Sequence, residues 1–178
     1  MRYVAFLRAI NVGGRVVKMD ALRVVFEDLG FSKVETFIAS GNVIFETRSK
    51  DPAALEKKIE KALETSLGYE VATFVRSLEE VARISRHEAF SRAAAEAAVS
   101  VNVGMLKGPL PPAIRTAVEG LKTDIDELRG HGCELYWLAV KGLGQTKVPS
   151  GALERTLKGK ATFRSLTTMA KLAAKYPV

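Results

Sequence analysis

Polar and glycine-rich residues that an apolar core does not require gather at three places in this 178-residue chain. The first is Asn11-Val12-Gly13-Gly14-Arg15, flanked by Arg8 and Lys18. Glycines let a backbone approach a ligand closely, N–H groups near a helix start favour anions, and the flanking cations add point charges, so a phosphate or carboxylate suits this loop. It has neither the G-x-x-x-x-G-K-[ST] order of a Walker loop nor the G-x-G-x-x-G order of a dinucleotide fingerprint, and a tight turn needing glycine explains the same composition. The second place is Ser40-Gly41-Asn42, where Gly and Asn tolerate positive φ and the Asn42 amide can donate and accept. The third is Gly142-Leu143-Gly144-Gln145-Thr146-Lys147, read as a flexible loop with G-x-G-x-x-K spacing. Beyond it Arg164, Ser165, Thr167 and Thr168 set a cation and three hydroxyls at the start of the terminal helix, where hydroxyls ordinarily serve as caps.

Other chemistries find little support. The two histidines, His87 in a polar helix and His131 in a Gly130-His131-Gly132 turn, cannot form a metal cluster with the single Cys133, and no serine nucleophile elbow is present. Cys133 reads as a small buried hydrophobe rather than a nucleophile. No metal site, no catalytic residue and no cofactor is assigned.

These loops need elements to hold them. Residues 2 to 8 read as a strand, and Leu22, Val25, Phe26 and Leu29 recur at helical spacing from Met19 to a Gly30 cap. Strands Val34 to Ala39 and Val43 to Thr47 flank the Ser40-Gly41-Asn42 turn as a hairpin. Asp51-Pro52 opens a helix that carries Leu55, Ile59, Leu63 and Leu67 and stops at Gly68. Val71 to Val75 is the fourth strand, and Ser77-Leu78-Glu79-Glu80 is a capping box opening a third helix. The expected class is therefore α+β, with a ferredoxin-like β-α-β-β-α-β plait in residues 1–90.

Residues 91–178 are expected to form a second, smaller α/β subdomain with C-terminal helices. A helix is read at Arg92 to Ala98, a strand at Val99 to Leu106, and a helix opening at Pro111-Pro112. Strands follow near Ile125 to Leu128 and Glu134 to Val140, then a short helix from about Gly151 and a terminal helix through Leu166, Met169, Ala170 and Ala173. No residue-level repeat relates the halves; they share only an element order.

The net charge of +7 is uneven. Residues 1–90 hold 14 basic against 13 acidic residues, whereas beyond residue 140 eight basic residues face only Glu154. Such a tail attracts polyanions, although a solvated helical face that keeps the protein soluble is the commoner origin of such charge. With 47% apolar and 26% charged residues the composition is globular. One cysteine excludes an intrachain disulfide, and no apolar run approaches the ~20 residues of a membrane helix, so a cytoplasmic protein without a membrane partner is expected. The third strand, Asn42-Val43-Ile44-Phe45-Glu46-Thr47, lacks the aromatic pattern that stacks RNA bases on a plait.

Phe6-Leu7-Arg8-Ala9-Ile10-Asn11-Val12-Gly13-Gly14, with Met19 and Leu22-Arg23, and then Phe37-Ile38-Ala39-Ser40-Gly41-Asn42-Val43-Ile44-Phe45, resembles the signature of a bacterial family of uncharacterised proteins, domain of unknown function 1697. Gly144-Gln145-Thr146-Lys147 and Thr162 to Thr168 fall where that family has its C-terminal motifs. The resemblance implies two α/β subdomains and no established activity. The chain departs where the family has glycine at Ala9, and where Ser165, Leu166 and Thr167 replace an Asn-Trp-Asn. The resemblance carries over Arg8, Asn11, Gly13, Gly14, Ser40, Gly41 and Asn42, and beyond these Arg164.

Two readings follow. In the first, a small anionic ligand, phosphorylated or nucleotide-like, occupies a cleft where the Asn11–Arg15 loop meets the Ser40–Asn42 turn, with Lys147 and Arg164 as further candidate ligand contacts. In the second, a non-catalytic nucleic-acid-binding or protein-interaction protein uses the basic C-terminal tail.

Overall fold

The computed structural model describes residues 1–11, 13–38 and 41–178. Val12, Ala39 and Ser40 lie outside the described residues, and with Ser40 goes the first position of the expected turn. The fold is mixed α/β, with two four-stranded antiparallel sheets and seven α-helices among the described residues. The contacts divide the chain into two units, Met1–Arg83 with Leu172–Val178, and Ile84–Lys171.

The first unit contains β1 (Arg2–Leu7), α1 (Met19–Asp28), β2 (Ser32–Thr36), β3 (Asn42–Glu46), α2 (Pro52–Leu67) and β4 (Thr73–Ser77), followed by α3 (Leu78–Arg86). Its sheet order is β2-β3-β1-β4. Local chemistry sets the helix ends. The Asp51 carboxylate accepts the Ala54 N–H at 3.1 Å, Pro52 supplies a pre-set φ, and Gly68 closes α2 in the left-handed region at φ 80°. Ser77 and Glu80 form the reciprocal capping box, with bonds of 2.8 and 3.2 Å.

Tyr3, Ala5 and Leu7 of β1 belong to one core with Leu22 and Phe26 of α1 and Leu55, Ile59 and Leu63 of α2. Phe45 stacks on Phe31 at 4.5 Å between ring centres and is fully buried, which stabilises by about 1.5–3 kcal/mol for such a ring. β4 is an edge strand, and its outward N–H groups are met from α2: Glu56 accepts from Val75 and Glu60 from Thr73, both at 2.9 Å. Two carboxylates one helical turn apart thus close an edge that would otherwise pair with another chain.

The second unit runs α4 (Arg92–Ala97), β5 (Ser100–Met105), α5 (Pro112–Glu119), β6 (Asp126–His131), β7 (Glu134–Ala139), a 3-10 turn at Leu143–Gln145, α6 (Ala152–Leu157), β8 (Thr162–Ser165) and the start of α7 (Leu166–Lys175), whose residues from Leu172 on belong to the first unit. Its sheet order, β6-β7-β5-β8, repeats that of the first unit element for element.

Several sequence expectations change. β8 was not anticipated, because four residues after Lys158-Gly159-Lys160 carry almost no strand signal; Arg164 and Ser165 therefore sit in a sheet rather than in a helix cap alone. Asn42 is the first residue of β3, paired with Phe6, not a turn residue. β4 begins at Thr73 rather than Val71. His131 ends β6, and His87 follows α3. A residue-level repeat also exists: Arg76-Ser77-Leu78 and Arg164-Ser165-Leu166 occupy equivalent positions, Arg76 opposite Val4 and Arg164 opposite Val103, each pair of residues leading into a helix that starts at Leu78 or Leu166.

Candidate functional site

The end of β1 is held from both sides. The Leu7 N–H donates to the Gly41 carbonyl at 2.8 Å, and the Arg8 N–H donates to the Ala72 carbonyl at 2.9 Å. Ala9 then turns the chain at φ 55°, a left-handed conformation that glycine adopts without cost. The Asn11 Oδ1 accepts the Val17 N–H at 2.8 Å, which closes the loop upon itself ahead of α1.

Between those anchors Gly13 and Gly14 have φ 63° and 81°, are exposed, and have no heavy atom within 4 Å of the place a Cβ would take. The Arg15 guanidinium lies 4.2 Å above the Tyr69 ring, fixing a cation at the loop's edge. Gly41 comes from the opposite side, so close that a Cβ there would stand 2.7 Å from Ile10 Cγ2 and 3.1 Å from Leu7 Cβ. Arg8, Asn11, Gly13, Gly14, Arg15 and Gly41 thus gather at one end of the first sheet. Asn42 is beside them but buried, and its Nδ2 donates to the Phe37 carbonyl at 2.9 Å. Tyr69, which the sequence reading did not single out, follows the Gly68 helix cap and could have been noticed there.

Lys147 and Arg164 belong to the second unit. The Gly142–Lys147 segment, expected to be flexible, contains the 3-10 turn and wraps an internal carboxylate. Asp126 accepts from Thr146 Oγ1 at 2.6 Å, from the Lys147 N–H at 3.0 Å, from Trp137 Nε1 at 3.0 Å and from the Thr123 hydroxyl. Burial pushes the Asp126 carboxyl up, but the bonds from Thr123, Thr146, Lys147 and Trp137 outweigh it and hold the group below its ordinary value. The anion recognised by this loop is the protein's own. Lys147 Nζ meets both oxygens of Asp124 at 2.8 Å, and this hydrogen bond lowers the Asp124 carboxyl.

Arg164 is buried in β8 and donates through Nη1 to Thr162 Oγ1 at 2.9 Å and to the Phe163 carbonyl at 2.8 Å. Burial lowers its pKa to about 10, so it stays cationic at neutral pH. Elsewhere in this unit His87 stacks on His131 at 4.1 Å. Among the described residues no three metal-ligating side chains cluster, and no helix is long and apolar enough to cross a membrane.

A family model described as a protein of unknown function (DUF1697) matches residues 1–136. The solved structure of the conserved bacterial protein SP0830 from Streptococcus pneumoniae is similar with a TM-score of 0.72 at 24% identity, over 97% of each chain, and shows the shared fold. No curated protein matches the sequence.

Proposed function

This chain belongs to the DUF1697 family of proteins of unknown function, and we propose that within it the first unit binds a small anionic ligand, phosphorylated or nucleotide-like, at the Asn11–Arg15 loop beside Gly41. The strand order and antiparallel register of that unit support reading it as a ferredoxin-like plait.

One observation carries the functional reading. Two consecutive exposed glycines have no heavy atom within 4 Å of the place a Cβ would take, next to an arginine stacked over an aromatic ring. Positive φ by itself favours glycine at both positions, and the close-packed Gly41 shows by contrast that Gly13 and Gly14 leave room for a ligand as well. Backbone N–H groups and a positioned guanidinium suit the oxygen-rich, charged surface of a phosphate.

A thermal-shift screen with nucleotides and phosphorylated metabolites tests the proposal. A ligand present at a hundred times its dissociation constant stabilises the protein by roughly 2.7 kcal/mol. If no anion raises the melting temperature, the reading is wrong.

A further inference from the structure

Lys158 occupies a conformation that its counterpart in the first unit assigns to glycine. α2 ends at Leu67 and is capped by Gly68 at φ 80°; α6 ends at Leu157 and is capped by Lys158 at φ 55°, ψ 38°. Both caps are left-handed, and a side chain bearing a Cβ is strained there. Gly159 stands one residue further on, so a glycine was available nearby and does not take this position. Ala9, Lys33 and Ile38 are also non-glycine residues at positive φ, so it is the surroundings of Lys158 that single it out.

The residue lines a cavity of about 340 Å3 between the β5–α5 connection and the α6–β8 connection. Leu106, Leu110, Ile114 and Leu157 contribute apolar walls, and Lys107, Lys158 and Lys160 put three cations on its lining. Gly108 and Gly159 lie on the same lining and have no heavy atom within 4 Å of a would-be Cβ, so a ligand can approach both closely, although the Gly159 N–H is itself donated to the Glu154 carbonyl at 3.3 Å. The wall is stiff. Pro109 and Pro111 restrict the first connection, and the Leu110 N–H is tied to the Gly132 carbonyl at 3.2 Å.

Strand order maps this cavity onto the first unit. With Phe6 paired to Asn42 and Met105 to Glu134, the β1–α1 connection corresponds to the β5–α5 connection, and Arg8 falls in register with Lys107. Arg15 and Tyr69 join the matching two connections in the first unit. At the corresponding end of the second unit stand Gly108 and Gly159, Lys107 and Lys158 from two connections, and a half-open volume at the lower end of what small-ligand sites use.

We propose that this cavity is a second anion site, taking the terminal phosphate or pyrophosphate of a small ligand, with Lys158 placed in its strained cap to contact it. The proposal stands independently of the first-unit reading, since it rests on its own cavity and its own lysines.

Titration of the 15N-labelled full chain with inorganic pyrophosphate tests it. The expected result is saturable movement of the Gly108 and Gly159 amide signals. Lys158→Gly is expected to raise the melting temperature, because the strain is relieved, while weakening pyrophosphate binding at these signals by about tenfold or more. Lys158→Arg should retain the affinity. Lys107→Gln, which leaves the helix cap untouched, should weaken binding as well. Movement of Gly13 and Gly14 reports on the first unit separately, and Arg15→Ala should leave the Gly108 and Gly159 response unchanged. The proposal is overturned if those two signals stay fixed up to millimolar pyrophosphate, if Lys158→Gly binds like the parent, or if a single-stranded oligonucleotide moves the same signals at far lower concentration with steep salt dependence.

Discussion

The Asn42 amide donates to the Phe37 carbonyl oxygen at 2.9 Å, and the Phe37 N–H donates back to the Asn42 carbonyl at the same distance. This double link pins the mouth of the β2–β3 hairpin through a buried side chain. Asn42→Ala is expected to cost about 1–3 kcal/mol, since the Phe37 carbonyl loses a donor in a partly buried place. Asn42→Gly should cost more, because glycine in a strand adds roughly 0.5–1 kcal/mol. Urea denaturation measures both; a glycine variant as stable as the parent would return Asn42 to the role of a turn residue.

Gly41 is constrained twice, by φ 76° and by contact with Ile10 and Leu7. Adding one methyl group strains the backbone and forces β1 away from the hairpin, so Gly41→Ala should destabilise by at least about 2 kcal/mol. A loss under half a kcal/mol by the same denaturation assay would mean the close approach is easily relieved.

At Ala9 the expectation is opposite. Ala9 sits at φ 55°, a left-handed conformation that glycine adopts without strain. Ala9→Gly should therefore raise stability by roughly 0.5–1 kcal/mol, the strain relieved less the added freedom of the unfolded chain. A lower melting temperature for this variant would show that the alanine methyl makes a contact worth more than its strain.

Asp126 gives a pH dependence with a definite sign. Its folded pKa is depressed, so the unfolded chain binds the proton more readily, and the stability it contributes is present above the ordinary carboxyl value of about 3.9. That contribution is lost as pH falls through the depressed folded value. Asp126→Asn should cost about 1.5–3 kcal/mol near neutrality and flatten the acid limb of the stability curve. Trp137, whose Nε1 donates to this carboxylate, supplies a fluorescence signal for following the transition. An unchanged acid limb would mean that other carboxylates set it.

What the sequence reveals and conceals follows from the range of each interaction. α2 was legible because its signals are local: Asp51 and Pro52 before it, Leu55, Ile59 and Leu63 along it, Gly68 after it. The Ser77–Glu80 capping box was legible for the same reason. β8 was not, because its four residues become a strand only by pairing with β5, some sixty positions earlier. Lys147 and its loop looked like an open anion site because its carboxylate partners, Asp124 and Asp126, are more than twenty residues away in sequence. The candidate site divides similarly. Gly13, Gly14 and Arg15 show in the sequence, but the approach of Gly41 to Ile10 and the stacking of Arg15 on Tyr69 are tertiary facts.

The anion site proposed for the first unit is tested most directly by following backbone amide signals of the labelled protein as ATP is added. The account predicts that Gly13 and Gly14 move together and saturate, and that Arg8→Ala weakens this response by roughly 1.5–3 kcal/mol, the scale of a charge-assisted hydrogen bond. If Gly13 and Gly14 stay fixed while ATP and the phosphorylated compounds of the screen are carried to millimolar concentration, these glycines serve the turn alone and the account is contradicted.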